Sequence, residues 1–141
     1  MKTILLIHGP NLNMLGKRDP EHYGSFTLPE LEDRMVEESE KRCINLIMFQ
    51  SNHEGALIDF LQVEGRNADA IIINPGALTH YSYALHDAIQ DAKLPALEVH
   101  LSDIKNREAW RSVSVIAPAC LGQIMGKGIE GYIEALDILA R

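Results

Sequence analysis

Five short apolar runs punctuate the chain: Thr3–Ile7, Ile44–Phe49, Ala70–Ile73, Ala96–Val99 and a weaker one at Leu121–Met125. They are continuous, not alternating, which is the signature of strands covered on both faces. Between them lie patterns of helical period. Thr27 and Glu30 form a capping box ahead of Leu28, Leu31, Met35 and Val36, and Lys41 and Arg42 close that helix. Ser51, Asn52 and Glu54 open a second helix through Leu57, Ile58 and Leu61, ended at Gly65. Thr79 is read as the start of a third, with Tyr81, Ala84, Leu85, Ala88 and Ile89 on its buried stripe. The last spans Ile129 to about Leu139.

Strands alternating with helices predict a parallel sheet with helices on both faces, and five strands favour a flavodoxin-like doubly wound α/β fold. The 141 residues suit one domain, 1–141, and neither a repeat nor a linker divides them. In such folds ligands bind beyond the carboxyl ends of the strands. The unusual polar residues fall there. His8-Gly9-Pro10-Asn11-Leu12-Asn13 follows the first strand, then a long polar loop from Gly16 to Phe26. Gln50 to Gly55 follows the second, Asn74 to His80 the third, and Glu98-Val99-His100-Leu101-Ser102-Asp103 ends the fourth, with Arg107, Glu108 and Arg111 beyond. One crevice is expected to collect Asn11, Arg18, Tyr23, Asn74, His80, His100, Ser102 and Arg111.

Composition narrows the function. Apolar residues make up 46% and charged residues 23%, as in an ordinary soluble domain. No apolar run reaches the roughly 20 residues that span a bilayer, and Thr3–Ile7 is too short for a signal peptide, so a cytoplasmic protein without membrane contact is expected. A net charge of −7 makes nucleic acid a poor partner, although a local arginine pocket still suits a small anion. Cys43 and Cys120 lack CxxC spacing and read as buried thiols.

Each candidate group has a plain alternative. The length of the loop Lys17–Gly24 fits a mobile lid or a solvated surface loop equally. Within it, Tyr23 needs a nearby cation to act as a base, since a phenol ordinarily titrates near pH 10, and Arg18 is five residues away. His100 at a strand end is a structural histidine or a general acid. Glu98, two residues earlier and on the same strand face, is placed to orient it. The amides of Leu101 and Ser102 offer donors to a carboxylate, and Arg111 either adds charge or makes a surface pair. His80, Tyr83 and Asp87 (i, i+3, i+7) are expected on one helix stripe, with Asp87 directed away from its own crevice toward a neighbouring subunit.

Other chemistries lack their residues. Gly126–Gly131 matches GxGxxG but sits near the end of the chain with no acidic residue to follow. The phosphate-cradling GxxxxGK[ST] and the nucleophile elbow GxSxG are missing. His80, His86 and His100 have no sequence-local partners for zinc, so no metal is expected. A phosphoacceptor receiver needs acidic residues where His8-Gly9 and Asn74-Pro75 stand. A non-enzymatic flavodoxin-like module that binds a small anion is the alternative left.

Four ordered segments resemble the type II dehydroquinases over nearly the whole chain. They are Gly9–Gly16 with Arg18 and Tyr23-Gly24, Phe49–Gly55, Ile73–Ala77 with Thr79-His80, and Glu98–Ser102 with Arg107-Glu108 and Arg111. The resemblance implies dehydration of 3-dehydroquinate to 3-dehydroshikimate through an enolate, in the shikimate pathway or quinate catabolism, without cofactor or metal. It implies a flavodoxin-like subunit in a dodecamer built from trimers. By motif position it makes Tyr23 the base, Arg18 the cation that favours its phenolate, and Asn11 the holder of a water at the enolate oxygen. His100 becomes the acid, oriented by Glu98. Asn74, His80 and Arg111 bind ring hydroxyls, Leu101 and Ser102 the carboxylate, and Asp87 acts across a subunit boundary. Leu78, Asp103 and Ser112-Val113 depart from the residues common in the family.

Overall fold

The computed structural model describes residues 1–141. Strands β1 (Lys2–His8), β2 (Ile44–Gln50), β3 (Ala70–Asn74), β4 (Ala96–His100) and β5 (Gly122–Met125) form one parallel sheet in the order β2-β1-β3-β4-β5. That is the doubly wound, flavodoxin-like arrangement expected. Helices α2 (Leu28–Lys41) and α5 (Ile129–Ala140) cover one face, and α3 (Glu54–Glu64) and α4 (Tyr83–Ala92) cover the other. Strand periodicity divides the core. Ile4, Leu6, Ile72, Leu97 and Val99 point to the α2/α5 side, and Leu5, Ile7, Ile71, Ile73 and Ala96 to the α3/α4 side. Both alternating sets are buried, so the strands read as unbroken apolar runs. No helix is long and apolar enough to cross a membrane.

Several local expectations are corrected. The third helix begins at Tyr83, capped by Ser82, whose hydroxyl accepts from Leu85 N at 3.0 Å. Residues Gly76–His80 form a separate 3-10 turn, and Thr79, fully buried, turns its hydroxyl to Glu98 instead. His80 therefore lies off the exposed stripe that Tyr83 and Asp87 share on this helix. Tyr81 is 63% exposed, so the buried stripe of α4 reduces to Leu85, Ala88 and Ile89. Leu121 lies outside β5 and is exposed. Cys43 is exposed with a left-handed backbone (φ 55°), not a buried thiol. Cys120 is half-buried, and burial, with Glu98 nearby, pushes its thiol up to about 12.

Candidate active site

The carboxyl ends of the strands open into a crevice lined by Asn11, Arg18, Tyr23, Asn74, His80, His100, Leu101, Ser102 and Arg111, with Arg107 beside them. Glu98 lies beneath it with no solvent exposure. Asp87 lies outside it, its side chain 71% exposed and 3.2 Å from His86 Nδ1. The floor is rigid for a steric reason. A Cβ on Gly9 would meet the Pro75 carbonyl oxygen at 2.4 Å, so only glycine lets the β1 and β3 loops pack backbone to backbone. Asn11 follows in a left-handed conformation (φ 71°). Asn52 Oδ1 accepts its N–H at 2.9 Å and takes a second hydrogen bond from Gln50 Nε2.

The long polar loop is part helix. Asp19 caps the short α1 (Pro20–Tyr23), accepting from Glu21 N at 3.0 Å, with Pro20 preset for the first helical position. Tyr23 ends it and meets two cations differently. The Arg18 guanidinium lies over the ring face, 3.5 Å from its centroid, where it contacts the π system and not the oxygen. Arg107 Nη1 donates to the phenol oxygen at 2.7 Å and reaches Ser102 Oγ at 3.4 Å. The hydrogen-bonded cation of the phenol is thus Arg107, and not Arg18, the cation nearest Tyr23 in the sequence. Burial, with Arg107 and Arg111 nearby, draws Arg18 below its ordinary value against the opposing pull of Tyr23. Three guanidinium groups converging in a protein of net charge −7 make a local site for an anion.

His100 Nε2 stands 2.5 Å from Glu98 Oε2, and its Nδ1 has no protein partner. Burial pushes the Glu98 carboxyl up, but the His100 contact and the Thr79 and Ser114 hydroxyls outweigh it and leave it below its ordinary value. His80 Nδ1 donates to the Val113 carbonyl at 2.7 Å, and the ring packs edge-on against Trp110. Burial, with His100 and Arg111 close by, holds His80 below its ordinary value despite the Val113 carbonyl. A neutral ring with its proton on Nδ1 leaves Nε2 as an acceptor for a hydroxyl.

Asn74 is half satisfied by the protein: Nδ2 donates to Tyr132 Oη at 2.9 Å and Oδ1 accepts from Gly76 N at 3.1 Å. One N–H and one lone pair remain for a ligand. The backbone amides of Leu101 and Ser102 donate to no group within the protein, a pair of open donors beside the arginines. Arg111 stacks over Trp110 and pairs with Glu108 at 2.5 Å, so part of its charge is already balanced. The departures from the family's common residues are absorbed locally. Leu78 is buried in the α3/α4 core, Asp103 caps Lys105 N, Ser112 Oγ donates to Ala109 O, and Val113 supplies only its carbonyl.

A family model described as "Dehydroquinase class II" matches residues 2–140. The chain is 58% identical over 136 residues to a protein of Roseiflexus castenholzii named 3-dehydroquinate dehydratase, spanning 96% of this chain and 87% of that one. It is 53% identical over 140 residues to a protein of the same name from Caldicellulosiruptor saccharolyticus, spanning 99% and 97%. The crystal structure of a type II dehydroquinase from Butyrivibrio crossotus superposes with a TM-score of 0.97 at 45% identity, covering 99% of this chain and 98% of that one.

Proposed function

We propose, from the premise that the chain belongs to the class II dehydroquinase family, how its crevice dehydrates 3-dehydroquinate to 3-dehydroshikimate. It is an enzyme, a hydro-lyase, and the family match leaves the non-enzymatic anion-binding alternative without support. Tyr23, as phenolate, takes the proton beside the ketone, and the electron pair of that C–H bond moves onto the ketone oxygen as an enolate. The Arg107 contact on its oxygen and the Arg18 guanidinium on its ring favour negative charge at Tyr23. Asn11 holds a water at the enolate oxygen. When the enolate collapses, the C–O bond breaks and His100 supplies the proton that turns the departing hydroxyl into water.

Glu98 orients His100 and offsets its charge. The open amides of Leu101 and Ser102 receive the substrate carboxylate, with Arg111 adding charge nearby. His80 Nε2, the free valences of Asn74 and the remaining donors of Arg111 take the ring hydroxyls. The observation that carries this assignment is the Arg107–Tyr23 hydrogen bond at 2.7 Å, in a crevice that His100 also lines, backed by the buried Glu98.

The assembly is a homo-oligomer, a dodecamer of trimers on the family pattern, working in the cytoplasm in the shikimate pathway or quinate catabolism. Asp87 then serves a neighbour's crevice. Its exposure outside its own crevice, on the helix that also exposes Tyr83, supports that role. The test is direct: purified protein is mixed with 3-dehydroquinate and the ultraviolet absorbance of the conjugated enone product is followed. Absorbance that rises with enzyme concentration is expected, and none at any pH would overturn the assignment.

A further inference from the structure

Glu98 is fully buried, yet four donors converge on its two oxygens. Thr79 Oγ1 donates to Oε2 at 2.6 Å, Gln123 Nε2 to the same oxygen at 3.2 Å, and His100 Nε2 stands there at 2.5 Å. Ser114 Oγ reaches Oε1 at 2.8 Å. The Ser114 hydroxyl has a fixed polarity. Ile116 N and Ala117 N donate to it at 3.2 and 3.0 Å and occupy its lone pairs, so its single proton must point outward. Thr79 Oγ1, 2.9 Å away, is the neutral competitor for that proton, and the carboxylate is the stronger acceptor. The segment that carries Ser114 is stitched to the 3-10 turn Gly76–His80, with Val115 N donating to Thr79 O and Val113 O accepting from His80.

We propose that Ser114, with Thr79 and Gln123, is a positioning residue that fixes Glu98 as an acceptor-only carboxylate and so fixes His100 as the Nε2–H tautomer. This rests on the reading of His100 as the acid. A proton on Glu98 would face one of four donors, so the dyad has nowhere to store it except the ring. The proton gained and lost in turnover therefore sits on Nδ1, the nitrogen with no protein partner. In the elimination the Nδ1–H bond breaks, its electron pair stays on the ring, and the new O–H bond forms on the leaving hydroxyl. The other titratable groups facing this carboxylate are His80, from the 3-10 turn, and Cys120, from the segment before β5. Cys120 remains a neutral thiol, and His80 already spends its Nδ1 proton on Val113.

Two measurements test this. Nitrogen-15 NMR of the histidine rings reads the His100 tautomer without any turnover, so it separates this inference from the proposed reaction. A neutral ring protonated at Nε2 is expected, and a ring protonated at Nδ1 overturns the proposal. In kinetics, Ser114→Ala should lower kcat about tenfold to a hundredfold, the loss expected for one hydrogen bond to a charged group. KM should change less than about threefold. The acid limb of kcat should move to higher pH, because a carboxylate with fewer donors takes up a proton sooner. Ser114→Thr, which keeps the hydroxyl, should restore the limb. A uniform loss of activity with an unmoved limb would make Ser114 merely structural and sink the idea. Should Ser114→Ala fail to fold, Gln123→Leu removes another donor from Glu98, and the limb must move the same way.

Discussion

Tyr23 lies between two guanidinium groups that differ in what they touch, and substitutions should separate them. Tyr23→Phe removes the hydroxyl proposed as the proton acceptor and almost no volume, so turnover should drop by roughly a thousandfold or more while a substrate analogue still binds. Near-normal turnover would remove Tyr23 from the role of base. Arg107→Ala takes a charged hydrogen bond from the phenol oxygen and should cost about tenfold to a hundredfold in kcat. Steady-state kinetics with 3-dehydroquinate would reveal that loss. Arg107 was hard to read from sequence because its partner lies 84 positions away, and nothing local distinguishes it from a surface arginine. Arg18, close to Tyr23 in the chain, was the visible candidate, yet it meets the ring face. Glu98 gives a stability counterpart. Its carboxyl is held below its ordinary value, so its contribution is complete above that ordinary value and fades as pH falls through the lowered one. The melting difference between wild type and Glu98→Gln should therefore hold steady above about pH 5 and shrink as pH falls below the ordinary carboxylate value of about 4.3, and a constant difference would show that the carboxylate is not responsible.

Among the elements, helix α2 was read almost to the residue because its signals are local. Thr27 Oγ1 accepts from Glu30 N at 3.3 Å and contacts Glu30 Oε1 at 3.0 Å. Arg42 and Lys41 close the other end on Glu38, holding that carboxyl down at about 2. Thr27→Ala should cost about 1 kcal/mol and lower the melting temperature by roughly 3 °C with activity intact, as thermal denaturation would show. Helix α4 was misread for the converse reason. Thr79 and Ser82 are both plausible caps, and the pattern cannot see that Thr79 is claimed by a carboxylate on β4, 19 positions downstream. The strand-end rule located the crevice correctly because it depends only on sheet topology. It could not say which donors would surround Glu98, since Ser114 sits within the irregular segment between β4 and β5, and Gln123 is set opposite Glu98 by the β4–β5 register.

At the scale of the whole molecule, the placement of Asp87 requires more than one subunit if that residue serves a crevice. Asp87→Ala and Tyr23→Phe subunits, each inactive alone, should regain activity when dissociated and reassembled together, with about one site in four carrying both intact residues. Mixed oligomers verified by sizing that stay inactive would remove Asp87 from the site. The sheet order has a different consequence, one that concerns how the chain reaches this state. Strand β1 precedes both of its partners in sequence yet lies between them, paired to β2 from Lys2–His8 and to β3 from Ile4–His8. Until β3 has been synthesised, a strand whose Ile4 to Ile7 end fully buried has one unpaired edge and an uncovered apolar face. Non-local parallel pairing is slow to form. During synthesis, then, the first 70 or so residues are the stretch most exposed to mispairing and aggregation. Truncation before β3 should yield an insoluble chain even though it retains two complete strands and a well-capped helix.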